Sequence, residues 1–126
     1  MKLFLLILIN FGIQFFQSWV QFGATTVRFS ATKDVVYPKN TNHFEKIKFV
    51  VGGAPISLED ATVIYTDGTN EIIHILSVVT RGGESRQLPL KNDSTDIRQV
   101  NITYKAAKGF GDQNAKITIW GMPKSF

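Results

Sequence analysis

The sequence predicts an all-β protein: an antiparallel two-sheet sandwich, jelly-roll-like or immunoglobulin-like, of seven to eight strands behind a signal peptide. Three observations predict it. Beyond Ser18 apolar residues recur at every second position, and no stretch places them at i, i+3, i+4 and i+7 for long enough to make a helix. Turn-forming residues punctuate the chain every 8 to 12 residues or about that, the spacing of a sandwich or small barrel. No helical crossover of the kind that parallel strands require interrupts the series.

The first element is the leader. "MKLFLLILINFGIQFF" carries one positive charge, Lys2, ahead of an apolar stretch that is barely interrupted before Gln14. A helix that crosses a bilayer needs roughly 20 apolar residues. This run is shorter and ends in Gln17 and Ser18, so residues 1–18 read as a secretory signal peptide and residues 19–126 as one β-sandwich domain. An uncleaved anchor is the alternative, and no later apolar run is long enough to be a transmembrane segment in the mature form. The expected location is secreted or periplasmic.

About 108 residues then remain, enough to bury roughly 60% or more of the unfolded surface without staples. That matters because the chain has no cysteine. Disulfides, thiolate metal sites and lipid attachment to an N-terminal cysteine are all excluded. The formal net charge is +4, of which Lys2 supplies one, so the mature domain carries +3. So modest an excess permits an anionic partner without requiring one.

The strands follow in order. "TTVRFSA" sets Val27, Phe29 and Ala31 against Thr26, Arg28 and Ser30. "DVVYPKNTNHF" gives a short run stopped by Pro38, which suits an edge strand because proline cannot donate to a ladder. "FEKIKFVV" turns Ile47 and Phe49 inward and Lys46 and Lys48 outward, and "GGAP" ends it. A hairpin comes next, from Ala61 to Tyr65 and from Glu71 to Val78 around an Asp67-Gly68 turn. "RQLPL", "RQVNITYKA" and "AKITIWG" complete the set. "FEKIKFVV…LEDATVIYTDG" and "IRQVNITY…DQNAKITIWG" echo one another faintly, as two strand–loop–strand units that could form the two halves of a sandwich; chance likeness between amphipathic strands is the competing explanation.

Chemistry is sparse along this frame. His43 and His74 stand far apart, each without a carboxylate or second histidine at ligand spacing, so neither a metal nor another cofactor is expected. "TDGTNE" and "KNDSTD" offer several oxygens but read as turns rather than calcium loops. Ser85 follows "GGE" and makes no nucleophile elbow. Glu59 and Asp60 are adjacent, so in a regular strand they point to opposite faces and cannot form a glycosidase pair. The chain is therefore expected not to be an enzyme. Asn92-Asp-Ser94 and Asn101-Ile-Thr103 match the glycan acceptor triplet and are read as incidental.

"VVTRGGESRQLPL" poses the sharpest choice. Nucleic-acid-binding RGG segments are repeated and interleaved with aromatics. This single copy lies between β-branched residues in a chain that reads as exported. It is therefore a bend between strands, with Arg81 and Arg86 as solubilising charges, and no nucleic acid is expected. One surface feature remains. With Val27/Phe29, Ile47/Phe49, Val100/Ile102 and Ile117/Ile119 inward, Arg28, Lys46, Lys48 and Lys116 must point outward. If these strands share a sheet, its outer face is basic and suits an anionic polymer, a lipid head group or an acidic protein. The bland reading is a solvated face that discourages edge pairing.

From Trp19 onward the chain resembles a bacterial family of small exported β-sandwich proteins known as a domain of unknown function. "WVQFGATTVRFSATKDVV", "FEKIKFVVGGAPISLEDATVIYTDG", "TRGGESRQLPL", "IRQVNITYKA" and "AKITIWG" carry the resemblance. It implies a signal peptide and a sandwich, and no activity. The expectation is a secreted, non-catalytic binding or envelope-associated module. A structural or assembly subunit is the alternative, and a small hydrolase a further one. Converging carboxylates or histidines in a pocket would favour the enzyme, a flat basic face the binder, and a long exposed apolar edge the assembly subunit.

Overall fold

Alternation of buried apolar and outward polar side chains builds every long strand in the computed structural model, which describes residues 18–28, 32–39, 43–107, 109 and 114–124. The leader up to Gln17, and with it Phe29 and Ala31 of the first predicted strand, lies outside the described residues. Eight strands form among those described: β1 (Val20–Arg28), β2 (Lys33–Val36), β3 (Phe44–Gly52), β4 (Ile56–Tyr65), β5 (Asn70–Val79), β6 (Leu88–Pro89), β7 (Ile97–Ala106) and β8 (Asn114–Pro123). β4 starts earlier than the predicted hairpin arm because Ile56 and Leu58 continue the inward series. "RQLPL" shrinks to two residues.

Sheet I has the order β1-β8-β3-β6 and sheet II the order β2-β7-β4-β5, and the strand pairs are antiparallel. Only β4 and β5 are sequential neighbours in one sheet. Every other connection crosses from one sheet to the other, which is the strand order of a jelly roll rather than an immunoglobulin sandwich. The two echoing sequence units behave alike but do not make one half each. β3–β4 runs from sheet I to sheet II and β7–β8 from sheet II to sheet I, and β3 pairs with β8 while β4 pairs with β7.

The core lies between the sheets. Val27, Ile47, Phe49, Ile117 and Ile119 of sheet I and Val100 and Ile102 of sheet II are buried, as alternation requires. Phe22 and Phe44 meet edge to face with centroids 5.9 Å apart, the geometry that aromatic quadrupoles favour.

The Arg-Gly-Gly segment is the passage from β5 to β6, with Gly82 at φ +77°. It also covers an edge. The Gly82 N–H donates to the Val51 carbonyl at 2.8 Å, and the Val51 N–H donates to the Gly83 carbonyl at 3.0 Å. Buried Ser85 continues the seam: its Oγ accepts from the Phe49 N–H at 2.9 Å and donates to the Arg86 carbonyl at 2.8 Å. Arg86 is more than a solubilising charge, since its guanidinium donates to the Ile75 carbonyl at 2.7 Å and the His74 carbonyl at 2.6 Å. The segment therefore ties the part of β3 that runs beyond its short pairing with β6 in sheet I to the edge strand β5 in sheet II.

Candidate functional site

The register of sheet I decides where its outward residues stand. Lys48 lies opposite Trp120, which lies opposite Gln21, and Lys116 lies opposite both Gly52 and Thr26. β1, β8 and β3 are thus adjacent, and Lys46, Lys48 and Lys116 occupy one outer face with Lys116 exposed. Arg28 closes β1, and its side chain lies outside the described residues. β7, with Gln99, Asn101 and Thr103, belongs to the other sheet.

The face is less uniformly basic than alternation alone implies. A bulge between Phe44 and Lys46 leaves two residues, Glu45 and Lys46, between the buried Phe44 and Ile47, so both turn outward. Lys48 is paired with Glu84 at 3.4 Å and its side chain is only 15% exposed. Lys46 has no ion-pair partner among the described residues, and its ammonium donates to the neutral Gln87 amide at 2.7 Å.

Two tryptophans stand beside these lysines. Trp19, just ahead of β1, has the Lys48 ammonium 4.4 Å and the Lys46 ammonium 5.6 Å from its ring centroid, within cation–π range. Trp120 continues the outward series Lys116, Thr118, Trp120 on β8. Trp19, Trp120, Lys48, Val50 and Glu84 line one open cleft of about 360 Å³. Neither tryptophan belongs to the basic set that alternation picks out, although a tryptophan at an outward position of "AKITIWG" is the signal that points to Trp120. Trp19 could not be placed that way, because it precedes the strand.

Sheet II presents a different face. A second depression, about 440 Å³, is lined by Lys33, Asp34, Tyr37, Asn101 and Thr103, among others. Both histidines have acidic partners that sequence spacing did not reveal: His74 Nδ1 lies 2.6 Å from Asp60, and His43 Nε2 lies 3.2 Å from Asp96. Glu59 and Asp60 do not point to opposite faces. Leu58 and Ala61 are both buried across a bulge, so the two carboxylates turn out together, Glu59 to Lys105 and Asp60 to His74. Among the described residues no hydroxyl is hydrogen-bonded to the His74 ring, the contact that would activate a nucleophile, and no group of three or more potential ligands could hold a metal ion. No helix among them is long and apolar enough to cross a membrane.

A family model describing a domain of unknown function, DUF2541, matches residues 1–121. The chain belongs to that family. No curated protein matches it. Among solved structures, this DUF2541 member is similar to AlgX from Pseudomonas aeruginosa at 15% identity and a TM-score of 0.50, over 86% of this chain. It spans 27% of AlgX, and at that identity the likeness concerns the fold alone. A mutant of CBM29-2, a family 29 carbohydrate binding module, aligns at 7% identity and a TM-score of 0.38, covering 82% of this chain and 79% of the other.

Proposed function

We propose that the domain is an exported, non-catalytic binding module that holds an extended anionic polymer against the outer face of sheet I. The observation that carries this is the register that brings Lys46, Lys48 and Lys116, with the strand position of Arg28, onto three adjacent strands. Interspersed cations along one sheet face attract a linear polyanion along its length, whereas a lipid head group or a single acidic side chain would engage one lysine at a time. Export rests on the leader at residues 1–18, and N-terminal sequencing of chain recovered outside the cytoplasm tests it. A chain that stays in the cytoplasm with residues 1–18 attached would overturn it.

The binding test is retention on immobilised polyphosphate and on anionic vesicles, at low and at physiological salt, for wild type and for a Lys46→Gln, Lys48→Gln, Lys116→Gln variant. The expected result is strong, salt-sensitive retention on the polymer, weaker retention on vesicles, and a marked loss in the variant. Equal retention of the two proteins at low salt would dispose of the basic face.

Self-association is a second reading, favoured by Ile72, Leu76 and Val78, all exposed on the edge strand β5. The bulge at Leu76 and the capping of two carbonyls by Arg86 weigh against simple strand pairing there.

A further inference from the structure

The cleft beside the lysines has a composition that a polyanion alone does not explain. Its walls are two indoles and Val50, and its polar edge is the Lys48–Glu84 pair. A phosphate polymer has no apolar face to lay on indole, and Glu84 would repel it. Resting on the proposed anionic-polymer reading, we infer that the ligand is a polysaccharide of hexuronic acid residues, with one pyranose ring seated between Trp19 and Trp120.

Such a ring is matched on each side. Its C–H face is apolar and packs on indole and valine, burying area that water otherwise wets. Its hydroxyls both donate and accept, which suits a fixed ammonium and carboxylate 3.4 Å apart: one hydroxyl oxygen accepts from Lys48 and a neighbouring hydroxyl donates to Glu84. The ring's own carboxylate must avoid Glu84. Lys46 offers it a place at the near end of the cleft, where its charge meets the Gln87 amide and the Trp19 ring and, among the described residues, no carboxylate at ion-pair distance. Trp19 is already held by the two ammonium groups, so little ordering remains to be done on binding. Lys116 lies four residues along β8 from Trp120 on the same face, about 13 Å away at strand rise, so a ligand that reaches both must extend over more than one sugar.

The test measures dissociation constants, by tryptophan fluorescence and affinity electrophoresis, for polygalacturonate, hyaluronan and polyphosphate. Wild type is expected to bind at least one uronic-acid polymer about tenfold more tightly than polyphosphate, and Trp120→Ala to erase that margin while leaving polyphosphate binding unchanged. Unchanged polyphosphate binding also reports that the variant is folded. Glu84→Ala, an exposed position, gives a second measure with opposed signs: weaker uronate binding and tighter polyphosphate binding. If all three polymers bind equally, the tryptophan change alters none and the lysine variant weakens all, the sugar assignment falls and the anionic face stands. If none binds, both fall.

Discussion

Gly121 on the central strand β8 faces the Phe44 ring so closely that a Cβ in its place would overlap the ring carbons. The ring is fully buried and cannot swing aside without disturbing Phe22. Gly121→Ala should therefore cost about 1–3 kcal/mol through overpacking, read as a Tm lowered by roughly 4–8 °C per kcal/mol. Gly52→Ala is the control, since a Cβ there meets nothing within 4 Å, and its Tm should stay near wild type. Equal Tm for both variants would refute the steric account. The neighbouring site residues illustrate why single positions are hard to read in advance. Lys48 is outward by alternation, as expected, yet its ammonium is shared with Glu84 and Trp19, which approach from another strand connection and from the chain before β1.

Among the elements, β5 depends most on a partner outside its own ladder. It is an edge strand, bulged at Leu76 with φ +48°, and a bulge of this kind frees carbonyls that must find donors. Arg86 supplies them at His74 and Ile75. Arg86→Ala should leave both acceptors open next to exposed Ile72 and Leu76, lowering Tm and producing concentration-dependent self-association in light scattering. A variant that stays at wild-type mass and Tm would show the guanidinium to be ornamental. The hairpin before β5 was legible beforehand because its determinants are local. Asp67 accepts from the Thr69 hydroxyl and N–H, and those two bonds, the hydroxyl's first, lower its pKa.

For the whole molecule, two phenols contribute to stability at alkaline pH. Burial, reinforced by the 2.5 Å hydrogen bond that Tyr65 donates to Glu71, raises the Tyr65 pKa strongly; burial and then Asp34 raise that of Tyr104. Above the ordinary phenol value near 10 the unfolded chain gives up these protons while the folded chain keeps them. Stability is thus fully present below that pH and falls as pH rises beyond it. Urea midpoints should decline from about pH 10 upward, less steeply in Tyr65→Phe, and identical slopes would contradict the assignment. What the sequence by itself determined was the set of strands, their inward faces, the Asp-Gly hairpin and the absence of covalent staples. Each follows from period-two alternation or from a turn residue acting on its immediate neighbours. Strand order, and with it the choice of a jelly roll, was settled only when side chains far apart in the chain packed between two sheets. The same step placed Trp19 and Glu84 beside Lys48, drew Asp60 to His74 across a bulge, and turned an Arg-Gly-Gly bend into an edge cover. Alternation says which way a side chain points, whereas its neighbours come from register between strands, and register is a property of the assembled sheets.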